Sequence, residues 1–225
     1  MLIWLVRHGE TELNNDADVS QDRIRAWRDV PLNQAGRDTA KDTAEHLQDK
    51  RIEVIVSSDL SRARETADII GKALGIHPIY TNKLRPWDLG MLTGQSTKDA
   101  IPKIKEYVDH PDRPVPKGES FNSFMNRAFA GVADAIDRAQ GETLCLVTHH
   151  RVERLLKAWI AAGQPVDHNE IDLRVFTSKG EPPGKAETIS VDAQKVRAIR
   201  NEPLRGTVER SIKELQSVRG DGGGP

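Results

Sequence analysis

The sequence predicts an α/β protein in which a mostly parallel central sheet is covered by helices on both faces. Three short runs, the unbroken apolar one at residues 2–6 and two mainly apolar ones at 52–56 and 143–147, have the length and composition of strands. Each run ends in a polar loop, and apolar residues at helical spacing follow the second and the third. Because strands that alternate with helices are typical of parallel sheets, we expect a three-layer α/β/α sandwich.

The first predicted strand runs directly into Arg7-His8-Gly9, and Asn14 follows a few residues later. Ligands of open α/β sheets bind just beyond the carboxyl ends of the strands. A histidine ring can act as a nucleophile, and a guanidinium presents a planar fork of donors that matches phosphate oxygens. Glycine lets the backbone come close to a ligand. This strand end is therefore a candidate phosphate site, and the alternative is a surface loop that carries these residues by chance.

The other two predicted strands end in residues of the same kind. After 52–56, a helix begins near Ser61 and places Arg62 in its first turn, next to backbone N–H groups that favour an anion. Arg64 points to another side of that helix and is expected at the surface. The third strand leads into Thr148-His149-His150-Arg151. Chance is a poor explanation for three strand ends that all supply arginine or histidine to one edge of a sheet.

These motifs resemble the histidine phosphatase superfamily, the phosphoglycerate-mutase-like phosphatases. The residues concerned are R-H-G-E-T-x-x-N at 7–14, S-D-L-x-R-A-x-x-T-A at 58–67 and V-T-H at 147–149. Two weaker matches are D-V-P-L at 29–32 followed by Gly36, and K-G-E-S at 117–120 followed by Arg127. The resemblance covers roughly residues 1–160 and implies a phosphoglycerate-mutase-like fold.

The resemblance also implies roles for individual residues. His8 would be the nucleophile, forming a phosphohistidine that water then hydrolyses. Arg7 and Arg62 would clamp the phosphate, and His149 and Asn14 would donate further hydrogen bonds to it. The arginines would lower the pKa of His8. No metal or other cofactor is expected, because these cations supply the positive charge that phosphoryl transfer needs.

The general acid is where the sequence departs from the family pattern. Members usually carry a glutamate in a stretch L-x-E-x-x-x-G, but aligning that pattern on residues 84–90 puts Pro86 at the glutamate position. Asp88 lies two residues later, on the same face of an extended segment, and is the candidate proton donor. Alternatively, Asp88 only orders a turn. In that case Glu10 or Glu119 could be recruited, or catalysis could be weak.

Four residues are candidates for substrate specificity. Arg23 and Trp27 belong to a basic segment at 15–30 that would form one wall of the site, and His150 and Arg151 follow the second catalytic histidine. These groups could bind a second anionic group of the substrate, or they could face solvent. A proline-rich segment at about 92–116, with a short helix candidate near 104–108, is expected to form a lid-like insertion.

The domain organisation is expected to be simple. One domain would span residues 1–219, and the glycine-rich residues 220–225 would form a disordered tail. Beyond about residue 165 we expect strands at 173–177 and 188–191, a hairpin partner at 195–199 and a helix near 207–218. The apolar stripe at 121–136 predicts a core helix, and Cys145 is expected to be a buried, inert thiol. Four histidines are expected at the surface: His46, His77, His110 and His168.

Composition limits the classes of partner. Lys and Arg number 33 against 34 Asp and Glu, so the net charge of −1 attracts neither nucleic acid nor a membrane surface. No apolar run approaches the ~20 residues of a membrane-spanning helix. We expect a cytoplasmic monomer or homodimer that binds a small phosphorylated substrate.

Three functions are consistent with these residues. The leading one is a metal-independent phosphomonoester hydrolase that acts through a phosphohistidine on a small metabolite. The second is a phosphoglycerate mutase, which returns the phosphoryl group to its substrate instead of to water. The third is a catalytically weak member that binds phosphorylated ligands, for which Pro86 is the only support.

Overall fold

The computed structural model describes residues 1–13, 22–141, 143–171 and 183–200. The strands within these residues are β1 (Leu2–Arg7), β2 (Val54–Ser58), β3 (Ile79–Thr81), β4 (Leu144–Thr148) and β5 (Ala186–Ser190). They form one sheet in the order β3-β2-β4-β1-β5, in which β5 alone runs antiparallel to its neighbour. The three strands predicted from the apolar runs are confirmed, within two residues at their ends.

The described α-helices are α1 (Gln34–Leu47), α2 (Ser61–Leu74), α3 (Thr97–Asp109), α4 (Phe121–Ala139), α5 (His150–Ala161) and α6 (Ala193–Ile199). Alternate strand residues face opposite sides, as the pleat requires. Val6 and Ile55 pack in a core with α1 and α2, whereas Ile3 and Leu146 pack in the larger core with α3 to α6. The α/β/α sandwich expected from the sequence is confirmed.

Two elements had no counterpart in the sequence prediction, β3 and α1. For α1 a signal was present, because the Asn33 side chain caps the helix by accepting the N–H of Gly36 at 2.8 Å. Ala40, Ala44 and Leu47 lie at helical spacing and are buried.

The insertion at 92–116 is more regular than predicted. The expected short helix near 104–108 is one part of α3, which contains Pro102. A proline removes one helical hydrogen bond. Burial of Ile104, Tyr107 and Val108 in the core offsets that loss and keeps the helix continuous.

The predicted strand at 195–199 is wrong, since these residues form most of α6. The Asp192 side chain accepts the N–H groups of Gln194 and Lys195 and so caps a helix. Val196 and Ile199 are then buried at a spacing of three residues. The expected strand near 188–191 is present as β5, and it pairs with β1.

The prediction for His168 is also wrong, because its ring is 1% exposed and lies edge-on to Phe129. His46, His77 and His110 are exposed as expected. The core helix is confirmed as α4. Burial of Cys145 is confirmed as well, and it raises the pKa of the thiol to about 12.

The strand at 173–177, the helix near 207–218, the tail at 220–225 and Asn14 lie outside the described residues. In the part of the chain that is described, none of the helices combines the length and the apolar character needed to cross a membrane.

Candidate active site

The sheet brings three strand ends together. β4 lies between β1 and β2, and all three strands run parallel. Their carboxyl ends therefore meet at one edge, where Arg7 and His8 leave β1, Ser58 ends β2 and His149 follows β4. The backbone N–H of His8 donates to the carbonyl of Thr148 at 3.0 Å, which joins the two loops that carry the histidines.

The ring of His8 is held in one tautomer. Its Nδ1 lies 2.7 Å from the carbonyl oxygen of Gly9, and a carbonyl can only accept, so Nδ1 carries the proton. In the neutral ring Nε2 then has a free lone pair, which is what a nucleophile requires. The pKa of His8 is lowered well below 6.5 by burial and then by four neighbouring groups, in the order Arg62, His149, Arg25 and Arg7.

Gly9 packs closely against the first turn of α1, where a side chain would not fit. A Cβ built on Gly9 would lie 2.4 Å from the carbonyl oxygen of Gly36, in the first turn of α1. The backbone N–H of Gly9 donates to the Thr66 hydroxyl on α2 at 3.1 Å. These contacts fix the His8 loop between α1 and α2.

Arg62 is buried in the same region, with 1% of its surface exposed. Its Nη1 donates to the backbone carbonyl of Arg28 and its Nη2 donates to that of Ala26, both at 2.9 Å. Its Nε is buried and has no hydrogen-bond partner within the described ranges. Burial lowers the pKa of Arg62 to about 10, against the opposing charge of Asp29. Donors remain on this guanidinium for an anion.

The amino end of α2 is occupied, contrary to the expectation of an open anion site there. The Asp29 carboxylate accepts the N–H and the hydroxyl of Ser61, each at 2.8 Å. A carboxylate thus already neutralises this helix end. Arg64 is exposed as expected, with its guanidinium 4.3 Å from the centre of the Tyr80 ring.

His149 lies beside His8, with the ring centres 5.0 Å apart. Its Nε2 is 2.8 Å from Oγ of Ser58, and its Nδ1 is buried without a hydrogen-bond partner among the residues described. Burial, and after it the charge of Arg62, lowers the pKa of His149 well below 6.5. The ring is therefore neutral near pH 7 while no anion is bound.

Arg25 is a site residue that the sequence did not distinguish from its basic neighbours. Its charge contributes to lowering the pKa of both His8 and His149. Burial and the nearby Arg62 lower the pKa of Arg25 itself. Arg23, which the sequence analysis names as a specificity candidate, forms an isolated antiparallel β-bridge with Ser96 through its backbone.

The proposed acid lies in a segment held by several hydrogen bonds. The Asp88 side chain accepts the N–H of Gly90 at 3.1 Å, which is the turn-ordering contact left open by the sequence. The Trp27 indole donates to the carbonyl of Pro86 at 2.8 Å. Trp27, one of the candidates for substrate specificity, therefore connects its own basic loop to the segment that carries Asp88. The role of Asp88 as acid stays a prediction.

Glu10 and Glu119, the alternatives to Asp88 as proton donor, both accept hydrogen bonds from other side chains. Glu119 forms an ion pair with Arg127, whose guanidinium donates to both carboxylate oxygens. Glu10 accepts the Asn33 side-chain N–H at 2.6 Å.

His150 and Arg151 begin α5 at the same edge of the sheet. Burial and the charge of Arg7 lower the pKa of His150 to about 2, so the ring is neutral. The Arg151 guanidinium lies 6.0 Å from the centre of the Trp87 ring. Arg151 also contributes to lowering the pKa of Arg25, which places it in the same positively charged region. The described residues contain no group of three or more His, Cys, Asp or Glu arranged to hold a metal ion.

Comparisons with known proteins show which proteins this chain is similar to. The model of the histidine phosphatase superfamily, branch 1, matches residues 3–177. A relative from Salmonella choleraesuis named as a probable phosphoglycerate mutase, GpmB, is 32% identical over 152 residues, or 65% of this chain and 68% of the relative.

Two solved structures share the fold. One is a mycobacterial glucosyl-3-phosphoglycerate phosphatase, 23% identical, with a TM-score of 0.67 over 84% of this chain and 92% of that one. The other is an alpha-ribazole phosphatase from Shigella flexneri, 20% identical, with a TM-score of 0.65 over 87% and 92% of the two chains.

Proposed function

The chain belongs to branch 1 of the histidine phosphatase superfamily and is an enzyme of that family, and we propose that it is a metal-independent phosphomonoesterase with His8 as nucleophile. One observation carries the proposal. His8 has a bare Nε2 and lies beside Arg62 and His149, each of which keeps a buried ring or guanidinium nitrogen without a protein partner among the residues described. A phosphate group would supply the missing acceptors.

The first half-reaction transfers the phosphoryl group to the enzyme. Nε2 of His8 attacks phosphorus and forms a P–N bond while the P–O bond to the leaving group breaks. The leaving oxygen takes a proton from Asp88, the proposed acid. Arg7 and Arg62 stabilise the charge on the equatorial oxygens during transfer.

The second half-reaction releases inorganic phosphate. A water oxygen attacks phosphorus, the P–N bond breaks and its electrons return to Nε2 of His8. The Asp88 carboxylate takes the proton of the water and is ready for the next cycle. His149 donates a hydrogen bond to a phosphate oxygen in both halves, and Asn14 takes the same role by resemblance to the family.

The substrate we propose is a small phosphorylated metabolite. The positive charges that act on His8 near pH 7 come from Arg62, Arg25 and Arg7. Such a local charge attracts a phosphomonoester dianion although the whole chain has a net charge of −1. The relatives named as phosphatases act on small phosphorylated molecules, which supports this substrate class.

Hydrolysis of p-nitrophenyl phosphate in EDTA tests the proposal. The wild type and His77→Ala, which removes an exposed histidine, are expected to be equally active, and His8→Ala is expected to fall to background. Quenched wild-type enzyme should contain acid-labile, base-stable phosphate. Activity that survives in His8→Ala, or that EDTA abolishes, would contradict the proposal.

A phosphoglycerate mutase is the second candidate, favoured by the name of the Salmonella relative. A mutase would transfer the phosphoryl group from 2,3-bisphosphoglycerate to monophosphoglycerate with little release of inorganic phosphate. Measuring both products in one assay separates the two functions. A phosphoenzyme that forms but turns over on neither path would instead indicate the catalytically weak member of the family.

A further inference from the structure

His149 is held by a buried side chain on the strand next to its own. Its Nε2 lies 2.8 Å from Oγ of Ser58, the last residue of β2, and both residues are buried. The opposite ring nitrogen, Nδ1, has no hydrogen-bond partner in the described part of the chain. One edge of the ring is thus bound by the protein, and the other edge is left for a ligand.

A hydroxyl partner has a property that a carboxylate or a carbonyl lacks, because it can both donate and accept. If the ring of His149 is neutral, the Ser58 hydroxyl can donate to Nε2, which puts the ring proton on Nδ1. If the ring is charged, Oγ accepts from Nε2–H and Nδ1 still carries a proton. A carboxylate at this place would only accept, and Nδ1 of a neutral ring would be bare.

The second contact of Ser58 is compatible with donation to His149. The backbone N–H of Leu60 donates to Oγ of Ser58 at 3.5 Å. In this contact the Ser58 oxygen is the acceptor, so the hydroxyl hydrogen can still point at Nε2 of His149.

We propose, on the premise of the phosphatase function above, that Ser58 is a positioning residue that keeps Nδ1 of His149 an N–H donor to the bound phosphate in both charge states of the ring. The site would then hold phosphate without a protonation change at His149 in either half-reaction. Four arginines lower the pKa of His149: Arg62 from α2, Arg25 from the loop before α1, Arg127 from α4 and Arg7 from β1. They favour the neutral ring, whose tautomer depends on Ser58.

Ser57 provides a matched control in the same strand. It is the preceding residue of β2 and is equally buried, but its hydroxyl lies near two backbone carbonyls, of Ser58 at 2.9 Å and of Ala63 at 3.2 Å. Ser57→Ala and Ser58→Ala therefore remove the same atom from neighbouring positions, and only the second change affects a histidine.

The first readout is the tautomer of His149, measured by long-range ¹H–¹⁵N NMR on the full-length labelled protein near pH 7. His149→Gln assigns the signals. The wild type and Ser57→Ala are expected to show the proton on Nδ1, and Ser58→Ala a shift toward the Nε2 tautomer. A wild-type ring with a bare Nδ1, or a Ser58→Ala spectrum like that of Ser57→Ala, would overturn the proposal.

The second readout is inhibition by inorganic phosphate, or its binding by calorimetry. Ser58→Ala is expected to weaken phosphate binding by roughly tenfold or more relative to Ser57→Ala, the size of effect of one hydrogen bond to a charged group. The loss should shrink at low pH, where a charged His149 ring carries both protons. Equal binding in the two variants would count against Ser58. If the wild type hydrolyses no phosphomonoester, the proposed function fails, yet the tautomer and phosphate binding still decide the role of Ser58.

Discussion

The guanidinium of Arg127 holds the carboxylate of Glu119 through two hydrogen bonds, from Nε to Oε2 at 3.2 Å and from Nη2 to Oε1 at 2.5 Å. The same guanidinium donates to three backbone carbonyls within residues 83–86, at 2.9 to 3.0 Å. Glu119 in turn accepts the backbone N–H of Asp88 at 2.9 Å. Arg127 therefore ties α4 to the segment that carries the proposed acid.

Removing that guanidinium should destabilise the protein. The two side chains are 18% and 17% exposed, so Arg127→Gln leaves a largely buried carboxylate without its partner. We expect the free energy of unfolding in urea to fall by about 3–5 kcal/mol. The control is Arg113→Gln, whose ion pair with Glu106 is 55% exposed on both sides and should matter by less than about 1 kcal/mol. Similar losses in the two variants would contradict the prediction.

Asp88→Asn tests the proposed acid without removing the turn contact. The asparagine oxygen can still accept the N–H of Gly90, but the side chain can no longer donate a proton as an acid. Because kcat/KM reports the first half-reaction alone, we expect kcat/KM for an alkyl phosphate, which has a poor leaving group, to fall roughly a hundredfold or more. We expect kcat/KM for p-nitrophenyl phosphate to change little. Equal losses on both substrates would assign Asp88 to the turn alone.

The acid limb of the pH profile should report His8. Because the pKa of His8 is lowered well below 6.5, protonation of its ring should not reduce kcat/KM between pH 7 and pH 6.5 and should reduce it only at more acidic pH. Arg25→Gln removes one of the charges that disfavour the protonated ring, so its acid limb should move to higher pH. Arg64 is exposed and its guanidinium lies over the Tyr80 ring, so Arg64→Gln should leave the pH profile unchanged. A wild-type limb at or above pH 6.5 would contradict this assignment.

Arg151→Gln tests the proposed binding of a second anionic group. We expect KM to rise roughly tenfold for phosphomonoesters that also carry a carboxylate or a second phosphate, because a charge-assisted hydrogen bond is lost. KM for phenyl phosphate should change by less than about twofold, and Arg64→Gln should affect neither class. If KM rises equally for both classes of phosphomonoester, Arg151 supports the site as a whole and does not select the substrate.

The strands and the strand-end residues could be predicted because their signals are local. An unbroken apolar run followed by His8 or His149 needs only a few residues to be recognised. The stretch at 195–199 failed because it is too short for its periodicity to distinguish strand from helix. Residues 195–199 are helical because α6 packs on α4 and because the Asp192 side chain caps α6.

Other features depended on residues far apart in the chain. Arg25 belongs to the site because Arg62 reaches across to carbonyls of the loop that carries it, and one sequence offers no sign of that contact. The amino end of α2 could not be recognised as occupied, since Asp29 comes from that same distant loop.

The sequence by itself determined the class of fold and the candidate residues for phosphoryl transfer, because parallel strands place their carboxyl-end residues at one edge of the sheet. Only the tertiary structure decided which partner each of those residues has. Gly9 fixes the tautomer of His8, Ser58 holds His149 and Arg127 engages Glu119. The physical reason is that hydrogen bonds act over about 3 Å, so these pairings exist only once distant segments have packed against one another.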